Sequence, residues 1–146
     1  MFTNHQTVFH DIDNGPTPCV MNIKKSTLQN HNYRAALWTG SHLQLTVMSI
    51  PAGGEVGLEI HEDTDQFFYV EGGVGKALMG ADKSSLGFKK LVERGDAIFI
   101  PAGTWHNIVN LGKRPLKLYS IYAPPHHPHG TVHKTKLEAD EQEHHF

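Results

Sequence analysis

From Leu37 to Tyr122 the chain consists of short apolar, β-branched or aromatic runs that alternate with glycine-bearing turns. Runs of about four to eight such residues, bounded by Gly, Pro, Asn or Asp, are typical of β-strands joined by tight turns. Their close spacing indicates a sandwich or barrel. We therefore expect an all-β domain with no long helix inside it. The clearest predicted strands are Leu43–Ile50, Leu58–His61, Phe67–Val70, Lys76–Met79, Lys90–Val92, Ala97–Ile100, Ile108–Asn110 and Leu116–Tyr122.

The regions on either side of this barrel lack the strand pattern. Residues 1–36 are polar and irregular, and we expect an N-terminal extension that packs on a barrel of residues 37–123, with a short amphipathic segment near residues 24–29. Residues 124–146 begin with a stretch rich in Pro and His that excludes regular structure, and their acidic end predicts a short surface helix over residues 136–145. A chain of 146 residues suffices for one core, so a single domain is expected.

Composition excludes several classes of function. Thirteen Lys and Arg against fifteen Asp and Glu leave a net charge of -2, so there is no overall basic field to hold a nucleic acid. The apolar runs are far shorter than the roughly 20 residues that cross a bilayer, so we expect no membrane insertion. The single cysteine, Cys19, cannot form an internal disulfide, and the polar N-terminal stretch does not resemble a secretory signal. We expect a reducing, cytoplasmic setting.

Histidine is over-represented, with 12 copies, although six of them lie beyond position 125. Glu59 and His61 are two positions apart on a predicted strand, so their side chains point to the same face. Such a pair alone is typical of the solvent face of a half-buried sheet. Together with His106, however, it supplies two imidazoles and one carboxylate, the ligand set of an open non-haem iron site, which manganese, nickel and zinc also accept.

Two spaced patterns here resemble the motifs of the cupin superfamily. The second cupin motif, in which Gly and five residues precede Pro-x-Gly-x-x-His-x-x-x-Asn, is matched at every fixed position by Gly95, Pro101, Gly103, His106 and Asn110. The first motif, Gly, five residues, His-x-His, three or four residues, Glu, six residues and Gly, is matched in spacing by Gly53, Glu59, His61, Gln66 and Gly73. Glu59 therefore replaces the usual first histidine, and Gln66 replaces the usual glutamate.

The resemblance implies a double-stranded β-helix, or jelly roll, with one divalent transition metal (Fe, Mn, Ni or Zn) inside the barrel. It also implies a homodimer that exchanges or adds N-terminal strands. The implied ligands are Glu59, His61, Gln66 and His106. Gln66 would coordinate through its neutral amide oxygen, which leaves the ion a net positive charge. Asp65 is the alternative fourth ligand, although a shift of one residue on a strand reverses the facing of the side chain.

The neighbouring strands suggest a mainly apolar pocket. Gln44, Met48, Phe68 and Ile108 are predicted to line it, since Phe68 shares the face of Gln66 and Ile108 that of His106. Gln44 has an equally plausible alternative, which is to hydrogen-bond the backbone of a loop. Trp105 should point away from the site. We expect Arg34 to be a solvated arginine rather than a group that meets an anionic substrate.

The segment from His126 to His133 is open to three interpretations: a solvent-exposed strap, a lid over the barrel, or an additional metal site. We favour the strap because proline-rich spacing gives no regular geometry for coordination. The function expected from the sequence is that of a metal-dependent enzyme on a small molecule, either a dioxygenase-type oxidoreductase or a sugar isomerase or lyase, with Glu59 in a catalytic role. The alternative is a non-catalytic small-molecule or sugar-binding barrel in which the metal is structural or absent.

Overall fold

The computed structural model describes residues 12–143 and confirms the predicted all-β architecture. Nine strands and two short helices occur in this part of the chain. In chain order the elements are α1 (Ile23–Gln29), β1 (Arg34–Thr39), β2 (Gln44–Ile50), β3 (Asp65–Gly72), β4 (Val74–Gly80), β5 (Phe88–Glu93), β6 (Ala97–Ile100), β7 (Trp105–Asn110), β8 (Leu116–Ala123), β9 (Val132–His133) and α2 (Lys136–Glu143).

The strands form two antiparallel sheets that pack face to face. The larger sheet has the order β6-β3-β8-β2-β1-β9, and the smaller has the order β5-β4-β7. Strands distant in sequence are therefore neighbours, as in the pairing of β2 with β8 over seven residues from Gln44–Tyr122 to Ile50–Leu116. Side chains from both sheets fill the space between them, and we call this space the barrel interior.

The alternation of β2 explains why both of its faces are buried, as its sequence suggests. Met48 and Ile50 belong to the large cluster in the barrel interior. Leu45 and Val47 point the other way into a second cluster, where Met21 and Ile23 pack against them. The N-terminal segment thus covers the outer face of the larger sheet.

Most predicted strands are present with small changes of boundary, but the predicted strand Leu58–His61 is wrong. This segment makes only an isolated bridge, between Glu59 and His106. Gly57, just before it, has a φ of +98°, a conformation that interrupts an extended chain. A single pair of residues, rather than a ladder, therefore fixes this part of the chain.

The flanking regions are more ordered than the sequence suggests. β1 begins at Arg34, inside the predicted extension, and β9 near the C-terminus pairs with it through Arg34–His133 and Ala35–Val132. Helix α1 confirms the short segment expected near residues 24–29, and the side chain of Asn22 caps it by accepting a 2.9 Å hydrogen bond from the backbone N–H of Lys25. Helix α2 confirms the helix expected near the end of the chain; residues 144–146 lie outside the described part.

None of the helices within residues 12–143 is long and apolar enough to cross a membrane.

Candidate metal centre

Glu59, His61 and His106 converge at one end of the barrel interior. One ligand atom from each lies within 4.8 Å of the others. The Nε2 atom of His61 is 3.7 Å from Oε1 of Glu59, and the Nε2 atom of His106 is 4.0 Å from the same oxygen. The two histidines are buried, and the Glu59 side chain is 16% exposed. The three residues therefore form a half-enclosed pocket of nitrogen and oxygen donors.

Backbone hydrogen bonds hold these residues in place. Glu59 and His106 exchange two of them, each 2.9 Å long, in which the N–H of either residue donates to the carbonyl of the other. The carbonyl of His61 accepts a 2.8 Å bond from the N–H of Gly103. Gly103 has a φ of +79°, so a glycine suits the turn that leads into β7. The Pro-x-Gly turn therefore contacts His61 through Gly103 and leads directly into the strand that carries His106.

The imidazole of His106 is held in one tautomer. Its Nδ1 lies 2.9 Å from the carbonyl oxygen of Thr104, and since a carbonyl can only accept, Nδ1 carries the proton. In the neutral ring the lone pair of Nε2 then faces Glu59. Burial lowers the pKa of His106 below its usual value and so favours this neutral form. An outer hydrogen bond of this kind is the usual way to orient a metal-ligating histidine.

The atoms that could bind a metal at this site lack hydrogen-bond partners. Within the described chain, the unpartnered buried atoms include Oε1 of Glu59, Nε2 of His106, both ring nitrogens of His61 and Oε1 of Gln66. Burial acts to raise the pKa of Glu59, but the nearby ring of His61 and the charge of Arg34 outweigh this effect and lower that pKa. A carboxylate surrounded by imidazole lone pairs is unfavourable unless a cation lies between them. The donor set therefore fits a divalent metal ion.

Gln66 and its neighbour Asp65 lie on opposite faces of β3. Gln66 is buried, and its Nε2 donates a 2.9 Å hydrogen bond to the hydroxyl of Ser120, which leaves the amide oxygen as its unpartnered acceptor. Asp65 is exposed, and its carboxylate accepts a bond from the backbone N–H of Ala102. The structure thus places Gln66, and not Asp65, on the inner face.

A cavity of about 540 Å³ opens beside the triad. Glu59 and His61 belong to its wall, together with apolar side chains and part of the C-terminal segment. The lining residues are Leu58, Glu59, Ile60, His61, Trp105, His126, His127, Pro128 and Glu143. The volume is suited to a small organic molecule.

Comparison with known proteins identifies the family. The model of the cupin domain matches residues 46–122. The chain is a cupin. Protein YrkC of Bacillus subtilis is 55% identical over 127 residues, which cover 87% of this cupin and 68% of YrkC. A crystal structure of the protein BH2720 from Bacillus halodurans has a TM-score of 0.88 at 57% identity and covers 89% of this chain and 98% of that one.

More distant structures share the fold. The structure of KdgF from Halomonas sp. has a TM-score of 0.56 at 24% identity, with 64% of this cupin and 80% of that chain covered. A predicted oxalate decarboxylase from Thermotoga maritima also has a TM-score of 0.56 at 24% identity, with 63% and 79% covered. These similarities confirm the double-stranded β-helix expected from the sequence.

The residues predicted to line the pocket have other surroundings. Met48, Phe68 and Ile108 are buried in the core cluster of the barrel interior and do not belong to the cavity wall. The amide of Gln44 is occupied by the C-terminal segment: its oxygen accepts from the backbone N–H groups of His126 and His127, and its Nε2 donates to the carbonyl of His127. Gln44 therefore makes the loop contacts that were its alternative interpretation.

The C-terminal segment is only partly the solvent-exposed strap that we favoured: Pro124, His126, Pro128, His129 and Gly130 are exposed, whereas His127 and His133 are buried. We call residues 124–133 the strap. The ring of His126 packs on that of His61 with centroids 4.1 Å apart, and both it and His127 line the cavity. His127 is 8% exposed, and its Nε2 lies 3.2 Å from the hydroxyl of Tyr122. The strap thus covers the site as a lid would, because Gln44 and Tyr122 give its backbone and side chains buried partners.

The predicted solvent exposure of Arg34 is wrong. The sequence favours a solvated arginine, but Arg34 is 2% exposed and lies in the barrel interior. Its charge acts on Glu59 and Tyr122, and burial raises the pKa of Tyr122 to about 12. Trp105, expected to point away, lines the cavity. Local sequence patterning does not predict the surroundings of Arg34 and Trp105, because those surroundings depend on which strands become neighbours in the fold.

Proposed function

We propose that this cupin is a metal-dependent enzyme that acts on a small organic molecule. The observation that carries the proposal is the group of five unpartnered buried atoms on Glu59, His61, Gln66 and His106, next to a cavity of about 540 Å³. A purely structural cluster would satisfy its own hydrogen bonds. Here the lone pairs are directed at one another beside a space that admits a ligand.

The residues present can hold one divalent ion. Glu59, His61 and His106 would supply a carboxylate and two imidazoles, and Gln66 a neutral amide oxygen. When bound, such an ion supplies Lewis acidity and, if it is iron or manganese, redox capacity at its open coordination positions.

The other residues prepare the environment of the reaction. Thr104 fixes the orientation of the His106 ring. Leu58, Ile60 and Trp105 form an apolar wall, and the strap borders the cavity, so part of the substrate would be shielded from water. These groups would bind and orient a substrate beside the metal centre.

Oxygenase-type chemistry is the reaction class that needs the fewest protein groups. Isomerase or lyase chemistry is the second candidate, and Glu143 favours it. This carboxyl lines the cavity, and burial together with the charge of Glu59 raises its pKa. A carboxyl group with a raised pKa is suited to accept and return a proton near neutral pH.

Metal analysis tests the proposal. Protein purified without added metal is expected to contain about one divalent ion per chain, or to take one up from dilute Fe²⁺, Mn²⁺, Ni²⁺ or Zn²⁺. His106→Ala should lower the metal content at least about tenfold, since an open site loses one of its few ligands. His42→Ala, which removes an exposed histidine far from the triad in sequence, is the matched control.

The measured metal content separates the two classes of function. Wild-type protein that stays free of metal after reconstitution would support the non-catalytic binding barrel instead. If metal is bound, oxygen uptake with small diols, diketones and phenols is compared with isomerisation of sugar phosphates. Glu143→Gln should abolish the second activity and leave the first largely intact. The homodimer and the cytoplasmic setting stay predictions.

A further inference from the structure

The wall of the cavity beside the triad carries two ionisable side chains that are not needed to hold a metal. Apart from the proposed metal ligands, the ionisable residues that line it are His126, His127 and Glu143. The ring of His127 is engaged by the hydroxyl of Tyr122, 3.2 Å away. Within residues 12–143, neither the ring nitrogens of His126 nor the carboxyl group of Glu143 makes a hydrogen bond. These two groups are therefore available to a ligand.

Both groups can be reached from the cavity, and both lie near the triad. His126 and Glu143 are exposed residues, so a molecule that enters the cavity can contact them. The ring of His126 packs on that of His61, with centroids 4.1 Å apart. Partial burial raises the pKa of Glu143, and the charge of Glu59 adds to this effect. A ligand held by His126 and Glu143 would therefore lie beside the metal centre.

A hydroxyl group is the ligand group that complements both side chains. The carboxyl group of Glu143 accepts hydrogen bonds when it is ionised and also donates one when it is protonated. The neutral imidazole of His126 has one donor and one acceptor nitrogen. A hydroxyl both donates and accepts, so it can pair with either residue in either state. A carboxylate or phosphate group only accepts, and the ionised Glu143 repels it.

The rest of the wall favours a neutral molecule with an apolar body. None of the described residues that line the cavity is Lys or Arg, and Leu58, Ile60 and Trp105 supply apolar surface. Two cations lie outside this wall. Arg34 is 2% exposed in the barrel interior, and the exposed Lys83 has its Nζ 5.8 Å from the centroid of the Trp105 ring. The wall itself therefore offers an anion no direct counter-ion.

We propose that the substrate is a neutral hydroxyl compound with an apolar body, and that Glu143 and His126 bind its hydroxyl group. Diols and phenols belong to this class, whereas organic acids and sugar phosphates do not. The inference rests on the proposed function in one respect: it takes the cavity beside the triad to be the place where the substrate binds.

An NMR titration of the full chain tests the preference for a neutral compound. Metal is first removed with a chelator, so that no anion binds through an ion. The probes are benzyl alcohol and benzoate, which have nearly the same shape but differ in charge. Benzyl alcohol is expected to bind at least about threefold more tightly than benzoate. Benzoate that binds as tightly as benzyl alcohol, or more tightly, would overturn the proposal.

The two tryptophans locate the binding. Trp105 lines the cavity, whereas Trp38 does not, and its indole N–H donates a 2.8 Å hydrogen bond to the carbonyl of Thr17. Benzyl alcohol should shift the indole signal of Trp105 and leave that of Trp38 unchanged. An unshifted Trp105 signal at saturation would mean that the alcohol binds elsewhere, which contradicts the proposal.

Substitutions assign the preference to the two residues. Glu143→Gln removes the charge and keeps a donor and an acceptor, so benzoate should bind about threefold or more tightly while benzyl alcohol changes less than about twofold. Glu143→Leu and His126→Phe remove the hydrogen-bonding atoms, and each should weaken benzyl alcohol about threefold or more without weakening toluene, which lacks the hydroxyl. Glu141→Gln, at an exposed position of the same helix, is the matched control and should leave all affinities unchanged. Wild-type affinities in the three cavity variants would contradict the inference.

A separate readout distinguishes failure of this inference from failure of the metal centre. Zinc affinity of the wild-type protein is measured by competition with a chelator. Protein that binds zinc but does not prefer benzyl alcohol contradicts the inference and leaves the metal centre standing. Protein that binds no zinc but prefers benzyl alcohol supports the hydroxyl site and contradicts the metal-dependent function.

Discussion

At the scale of single residues, Gln66 is the unusual member of the proposed centre. Its amide nitrogen is committed to Ser120, so only its oxygen is available to a cation. An amide oxygen carries no charge, whereas a carboxylate at the same position would add one. In the proposed centre, Gln66 would therefore limit how strongly the site attracts a divalent ion.

Gln66→Glu should tighten metal binding by about tenfold or more, since it places a second negative charge beside the ion. The metal-free variant should be less stable than wild type, because two carboxylates then lie together in a buried site. Competition with a chelator measures the affinity, and thermal unfolding measures the stability. Asp65→Asn, which alters the exposed neighbour and keeps its acceptor oxygen, is the control and should change neither. An unchanged affinity in Gln66→Glu would show that this position does not reach the ion.

At the scale of elements, the strap is held mainly by hydrogen bonds to side chains of the domain on which it lies. Gln44, at the start of β2, engages the backbone of both His126 and His127, and Asp13 accepts from the N–H of Gly130. The contact with His127 is buried and the other two are partly buried, so water replaces a lost partner poorly. The strap is therefore held by a few side chains rather than by a long strand.

Gln44→Leu should lower the free energy of unfolding by about 1–3 kcal/mol, because it leaves buried backbone groups of the strap without a partner. Faster hydrogen exchange is expected at the amides of His126 and His127, with metal affinity retained, since no ligand is altered. Denaturant unfolding and exchange measured by NMR check these outcomes. Gln29→Leu, on the exposed surface of α1, is the matched control. Unchanged exchange at both amides would mean that Gln44 does not hold the strap.

Sequence patterning predicts the elements well where the pattern is local. The alternation in Leu43–Ile50 and in Leu116–Tyr122 identifies β2 and β8, and the turn with Gly103 places His106. The segment around Glu59 looks like a strand in sequence, yet only its bridge to His106 forms. The buried position of Arg34 and the contact of His126 with His61 are beyond local patterning, because both result from β9 and the strap folding back over distant strands.

At the scale of the whole molecule, two histidines of the strap link stability to pH. Burial lowers the pKa of His126 to about 4 and lowers that of His127 further, with the charge of Arg34 contributing to the shift of His127. In the unfolded chain both have the ordinary value of about 6.5. Below that pH the unfolded chain binds protons that the folded protein excludes. The free energy of unfolding is therefore highest above about pH 6.5 and falls as the pH decreases.

His127→Gln should reduce this acid sensitivity. Between about pH 6 and pH 4.5, wild type is expected to lose up to about 1.4 kcal/mol more per pH unit than the variant, which corresponds to one proton. Denaturant unfolding of metal-free protein across this range measures the difference. His42→Gln, at an exposed histidine, should follow the wild-type curve. Parallel curves for wild type and His127→Gln would contradict a buried neutral imidazole at this position.

The paired backbone hydrogen bonds between Glu59 and His106 also bear on ion selectivity. Because Glu59 and His106 form one hydrogen-bonded pair, the distance between their ligand atoms (the bite) would stay nearly constant, whichever ion binds. A chelator with a preset bite loses little conformational entropy on binding, but it adapts poorly to ions of a different radius. Selection among transition metals would then operate through size and preferred coordination geometry, with the chain acting as a template.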